Sequence, residues 1–360
     1  MSSLKFTKGK FKIMQIADVQ EDFPVNPDTI RLIDAAAERE KPDLVIFTGD
    51  QIQGYSGCYR TDTYNKVRAV IGEYVAPLVK RGIPFTMTFG NHDDDCVVSK
   101  GAQVELYADH KGFTMGEARS KDDPATHFIN LKDSEGEKDI FAIYLIDSNK
   151  KEPDGAYSPV KKEQIEWLER VREANGYLPA LAFQHIPVPE FYNIIKKVPF
   201  FKKGAVEAYK SRKNTFWLLE GDEGFMGETP AVPEINNGEF DSLKRHGDIL
   251  GLFVGHDHVN SFVRRLEGVD LGYTQGAGFN TYGPGEKRGV RIFELDEGDL
   301  RNYKTYTVTA GELGVYKPSK PVQEFIYRNA PTSVDEVVTN LKRVAVASLA
   351  VAAVVKLIKR

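Results

Sequence analysis

Residues 85–93 read FTMTFGNHD, five β-prone residues that run without a break into a polar cluster. A short apolar run of this kind predicts a buried strand, so Gly90, Asn91, His92 and Asp93 lie where that strand ends. The same grammar recurs four times. FKIMQIA (11–17) leads into Asp18, LVIFT (44–48) into Gly49 and Asp50, LAFQ (181–184) into His185, and LGLFV (250–254) into Gly255, His256, Asp257 and His258. In open α/β sheets the strand ends are where ligands bind.

The intervening segments carry helical spacing. Asn26 followed by Pro27 predicts a helix start, and Ile30, Ile33 and Ala37 recur on one face up to Lys41. Over 64–81 a stripe of Val67, Val70, Ile71, Tyr74, Val75 and Leu78 ends at Gly82, a predicted C-terminal cap. Strand, helix, strand, helix, strand is the signature of a parallel sheet core. IFAIYLID (140–147) adds a buried strand, and Ile165, Leu168 and Val171 mark a further helix. The fold class is α/β, with two sheets covered by helices.

Taken singly, none of the polar residues is decisive. An Asp at a strand end is usually a turn residue, and a lone His before Ile186 and Pro187 is usually structural. Their joint order decides. Asp18 and Asp50 bring anionic oxygen, Asn91 a neutral carbonyl oxygen, and His185, His256 and His258 imidazole nitrogen, a donor set suited to Mn, Fe, Zn or Ni. Four of the chain's seven histidines fall in these clusters. Two ions about 3.5–4 Å apart, sharing a carboxylate and a hydroxide, can clamp the attacking and leaving oxygens of an in-line displacement. His256 and His258 alternate along an extended segment, so both rings can reach one cavity while Asp257 points elsewhere.

The order Asp, Gly-Asp, Gly-Asn-His-Asp, His, Gly-His-x-His over residues 11–295 resembles the calcineurin-like metallophosphoesterase superfamily, most of all its small purple-acid-phosphatase-related branch. That resemblance implies an α/β/β/α sandwich of two mixed sheets flanked by helices. It implies two divalent or mixed-valence ions, bridged by Asp50, with Asp18 and His258 on the first and Asn91, His185 and His256 on the second. It also casts His92, with Asn91, as the group that protonates the leaving oxygen or stabilises the transition state; Asp93 is expected to orient His92. The chain departs from the pattern twice. Gln20 stands where the family has a ligand His, so it either offers an amide oxygen or does not ligate. Gln53 replaces the tyrosine that colours the purple enzymes.

The expected activity is phosphoester hydrolysis. The leading substrate class is phosphomonoesters, on a small molecule or a phosphoprotein. The alternatives are a phosphodiesterase or nucleotide hydrolase, and a non-catalytic binding or scaffold protein on the same fold. A net charge of −4 advertises no nucleic-acid partner. Only Cys58 and Cys96 occur, and no apolar leader precedes the first strand, so the expected setting is reducing and cytoplasmic. Residues 1–315 are expected to form the phosphoesterase domain, with 190–245 as an insert or rim rich in aromatics. Its Lys196, Lys197, Lys202 and Lys203 could attract anions, although surface lysines usually sit in solvent. Nothing in one sequence separates Arg264, Arg265, Tyr273, Asn280 or Arg288 from ordinary fold residues. Residues 316–360 read as an extension: a capping box at Ser333–Glu336, then the apolar run 344–355 between basic flanks. Twelve helical residues span roughly 18 Å, too short to cross a bilayer. Contact with the domain, with a second copy as a homo-oligomer, or with a membrane surface is expected of that run.

Overall fold

Strand Lys10–Ile16 sends Phe11 and Ile13 into one apolar core, and Met14 and Ile16 into another. Strand Leu44–Thr48 does the same with Leu44 and Ile46 against Val45 and Phe47. Side chains alternate across a strand, so a strand apolar on both faces must be covered on both. This double coverage makes four layers. In the computed structural model, which describes residues 4–120, 123–152, 155–329 and Leu341, two mixed sheets pack face to face, with helices outside each.

The first sheet has five strands in the order Lys304–Thr309, Gly289–Asp296, Lys10–Ile16, Leu44–Thr48 and Phe85–Thr88. Its last three run parallel. Helices α1 (Pro27–Glu40), α2 (Thr63–Arg81) and α3 (Lys100–Ala108) cover its outer face through Leu32, Ile33, Val67, Val70, Ile71 and Leu106. Asn26 caps α1 by accepting the Asp28 N–H (3.0 Å), and Gly82 ends α2 in the left-handed region at φ 66°.

The second sheet has eight strands in the order Phe225–Met226, Asn260–Leu266, Val269–Tyr273, Ile249–Val254, Ala180–Gln184, Asp139–Ile146, Asp123–Lys132 and Ala118–Ser120. Helices α4 (Lys162–Ala174) and α5 (Glu239–Lys244) cover it with Trp167, Leu168, Phe240 and Leu243. Arg172 of α4 is fully buried, forks onto Asp248 (2.8 and 2.6 Å) and donates to the Ser242 carbonyl (3.0 Å). Such a bidentate pair fixes geometry as well as energy.

The expected sandwich is therefore the architecture found. Lys10–Ile16, Leu44–Thr48 and Phe85–Thr88 end on one side of the first sheet, and the parallel Ala180–Gln184 and Ile249–Val254 end together in the second. The polar clusters that follow these strands meet at one end of the sandwich. Within 190–245 a small sheet forms from Lys196–Val198, Phe216–Leu218 and Val206–Glu207.

The boundary expected at 315/316 falls inside a docked segment. Tyr316 packs on the core beneath α1, and Ser319 donates its backbone N–H to Asp28 (2.7 Å). Glu324 of α6 (Pro321–Asn329) lies buried against the Arg288 guanidinium at 3.3 Å. The capping box at 333–336 and the run 344–355 lie outside the described residues. Among those residues no helix is long and apolar enough to cross a membrane.

Candidate metal centre

Strain marks the site before any chemistry does. Asp18 (φ 51°), Gln20 (φ 37°), Asp50 (φ 50°) and His256 (φ 76°) all adopt left-handed backbone without being glycine. Each such residue costs about 1–3 kcal/mol and persists only where its surroundings hold it. At Asp50 the holding group is Asp93. Its buried carboxylate accepts four backbone N–H groups: Gln51 (2.7 Å) and Ile52 (3.1 Å) on Oδ1, Asp50 (2.8 Å) and Gly90 (2.7 Å) on Oδ2. Gly90 permits the two loops to touch, because a Cβ there would overlap both Asp50 Oδ1 and the Asp50 backbone nitrogen.

His185 donates Nδ1–H to the Thr48 carbonyl (3.0 Å), which leaves Nε2 facing Asp50 Oδ2 at 3.1 Å and His256 Nδ1 at 3.1 Å. Asp50, His185 and His256 thus offer one ligand atom each, all within 4.8 Å of one another. Both polar atoms of the buried Asn91 side chain, and His256 Nε2, have no hydrogen-bond partner. Leaving such groups unpaired costs about 1–3 kcal/mol each, so their arrangement fits an ion that would engage them. Burial opposes the charged form of His185, but Asp50 and Asp18 outweigh it and push its pKa up to about 9. Burial likewise opposes ionisation of Asp50, yet His185 and His92 hold its carboxyl well below the usual range. These opposed shifts describe a site organised around charge.

On the other side, His258 Nε2 lies 3.4 Å from Asp18 Oδ1, while its Nδ1–H donates to the Tyr282 carbonyl (2.9 Å). The His256 backbone N–H donates to Asp18 Oδ2 (3.0 Å). Gln20 donates its amide N–H to Asp50 Oδ2 (3.0 Å). In this arrangement Gln20 supports the central carboxylate and does not present a ligand oxygen with that bond.

His92 sits beside this group, its backbone N–H donating to Asp50 Oδ1 (2.8 Å) and its Nδ1–H to Asp95 Oδ2 (2.6 Å). The orienting role expected for Asp93 therefore falls to Asp95, because Asp93 turns inward to the four backbone amides. Asp257 borders the same cavity, with its carboxylate accepting the Tyr273 hydroxyl and the Ala231 N–H (3.1 Å). Arg288 and Asn280 bond to Glu324 and Glu21 respectively, as parts of the fold.

The centre opens into a cavity of about 390 Å³. Tyr55 lies edge-on to His92 (4.6 Å between ring centres), Tyr157 edge-on to His256 (4.5 Å), and Tyr282 stacks on His258 (4.2 Å). Each imidazole that borders the cavity thus carries a tyrosine. Residues of the 190–245 stretch, Tyr209, Lys210, Glu228 and Ala231, line one wall, with Lys151 also on the cavity. None of these tyrosines, nor Asp95, stands out in the sequence, since each lies in an irregular segment with no periodic signal.

A profile of the calcineurin-like phosphoesterases matches residues 11–260. The chain belongs to this family. The chain is 28% identical to a protein of Arabidopsis thaliana named probable inactive purple acid phosphatase 14, over 80% of this chain and 76% of that one. It is 27% identical to phosphatase DCR2 of Saccharomyces cerevisiae, over 91% of this chain and 58% of that one. Its fold is similar to the crystal structure of a dimetal phosphatase from Danio rerio, at a TM-score of 0.51 and 14% identity, covering 83% of this chain and 99% of that one. Within that family, the Asp50, His185 and His256 triad makes the strand-end cluster the candidate metal-binding group.

Proposed function

We propose that the protein hydrolyses phosphomonoesters at a centre of two metal ions, drawn from Mn, Fe, Zn and Ni. The observation that carries this reading is the position of Asp50, with the His185, His256 and Asn91 atoms on one side and the Asp18–His258 pair nearby. Ions held there supply Lewis acidity toward phosphoryl oxygens and a water acidic enough to act as nucleophile near neutral pH. The chain's own residues do the rest. Asp93 holds both ligand loops in register, and Tyr157 and Tyr282 buttress the ligand rings His256 and His258. His92, with Nδ1 tied to Asp95, keeps Nε2 for the proton that the leaving oxygen needs. Asn91 adds a buried amide where phosphoryl charge develops. The cavity's size suits a small phosphorylated molecule. Both cysteines are free thiols, which supports a reducing, cytoplasmic setting.

One observation favours a second reading, a binding protein without turnover. Gln20 removes a nitrogen ligand from the Asp18–His258 side, and relatives with this overall sequence carry the name of probable inactive phosphatases. Metal analysis of the purified protein, combined with hydrolysis of phosphomonoesters, phosphodiesters and nucleotides with and without chelator, separates the two. Chelator-sensitive turnover of phosphomonoesters is the expected result. Tightly held metal without turnover on any of these compounds overturns it in favour of the binding protein.

A further inference from the structure

The insert that walls the cavity also carries an apolar tip within a group of lysines. Lys196–Val198 pairs antiparallel with Phe216–Leu218, and the chain leaves that strand through Pro199, Phe200 and Phe201. The turn is built: Lys202 donates its backbone N–H to the Pro199 carbonyl (3.0 Å), and Ala205 to that of Lys202 (3.0 Å). Phe201 is 75% exposed and Phe200 38%, with ring centres 5.5 Å apart, and Phe200 leans on Phe216 at 6.1 Å. Around them Lys197, Lys202 and Lys203 are exposed and have no ion-pair partner among the described residues, whereas Lys196 pairs with Glu220 (2.8 Å). From 191 to 206 the sequence contains no acidic residue.

Two adjacent phenyl rings held in water are unfavourable, and three uncompensated ammonium groups beside them repel one another. A single environment relieves both. At the surface of a bilayer with anionic lipids, aromatic rings sit at the acyl boundary while lysine stems run along them and carry their charges to the phosphates. A nucleic acid would meet the lysines but needs a groove that tracks its backbone, whereas here the two phenyl rings stand exposed to solvent. We propose that the tip at 197–203 docks on an anionic lipid surface. The small sheet that holds the tip runs through Val206–Glu207 into Tyr209 and Lys210 of the cavity wall, and the Tyr209 hydroxyl donates to Glu228 (3.2 Å), so docking would hold this wall of the cavity near the membrane.

The test is cosedimentation of the full-length protein with vesicles of phosphatidylcholine alone, or of phosphatidylcholine with phosphatidylglycerol. Binding to the anionic vesicles is expected, weakening as salt is raised. Phe201→Ser, and separately the pair Lys202→Glu with Lys203→Glu, should each lower the partition coefficient at least about tenfold. All three side chains are exposed, so thermal melting should stay at the wild-type temperature and certify the fold. Failure of the wild type to bind anionic vesicles overturns the proposal. Both variants binding as well as the wild type also overturns it, and assigns any membrane contact to another segment such as 344–355. Loss of binding to a single-stranded oligonucleotide in both variants, with no vesicle binding by the wild type, assigns the tip to nucleic acid instead.

Discussion

Replacing Asp93 by Asn changes little in shape and separates two roles for this position. The carboxylate accepts two buried N–H groups on each oxygen, from Gln51 and Ile52 on one and from Asp50 and Gly90 on the other. An amide keeps one oxygen and can serve one of these pairs; its NH₂ then faces the other pair, donor against donor. Two buried amides lose their acceptor at about 1–3 kcal/mol each, offset in part because one buried charge beside Asp50 is removed. Burial and the neighbouring Asp50 push the pKa of the Asp93 carboxyl up to about 7. The expected loss of about 3 kcal/mol of unfolding free energy is therefore measured by urea denaturation of metal-free protein at about pH 8.5, where the carboxylate is ionised and metal binding does not mask the effect. Since Asp50 is one of the residues pinned, metal content should fall in parallel. Asp95→Asn, which alters the carboxylate bonded to the His92 ring, should leave stability and metal content at wild-type levels and lower turnover about tenfold or more. An Asp93→Asn protein as stable as the wild type, with full metal but little turnover, would refute the reasoning. It would return Asp93 to the task of orienting His92.

Three further outcomes are expected. His92→Ala should lower kcat about a hundredfold or more with metal content intact, by turnover and metal analysis of the same sample; loss of metal would make His92 a ligand. Gln20→His should forfeit the amide bond to Asp50 but add a nitrogen donor on the Asp18–His258 side. A metal titration that binds in two unequal steps for the wild type should therefore show the weaker step tightened, and an unchanged titration counts against the assignment. Buried His127 donates to the Met87 carbonyl, and burial lowers its pKa from 6.5 to about 4. The folded protein thus resists protonation that the unfolded chain accepts below pH 6.5, so this residue's contribution is full above pH 6.5 and is lost as pH falls toward 4. By linkage the loss amounts to about 3 kcal/mol, read as the wild-type minus His127→Gln difference in unfolding free energy across that range. A flat difference would show that His127 titrates over the same pH range folded and unfolded.

The candidate ligands, the βαβ core and the caps at Asn26 and Gly82 are legible in the linear sequence because each depends on neighbouring residues. A buried strand is an apolar run, its end is where polar groups reappear, and a metal selects oxygen and nitrogen donors by type. The position of Gln20 could be recognised as a departure in the same way, though not its bond to Asp50. What the tertiary structure alone decided are contacts between segments far apart in the chain. Asp93 and Asp95 look equally suited to orient His92, and only the approach of the 49–52 loop to Gly90 turns Asp93 inward. The tyrosines beside His92, His256 and His258 come from three separate loops with no periodicity to announce them. Glu324 meets Arg288 across 36 residues and draws α6 onto the domain past the boundary that composition suggested. The lysines at 196–203 read as ordinary solvated charge in the sequence, and acquire a direction only because the fold exposes Phe200 and Phe201 among them. Local chemistry is written in residue order, whereas which groups face one another depends on how two sheets close on a common core.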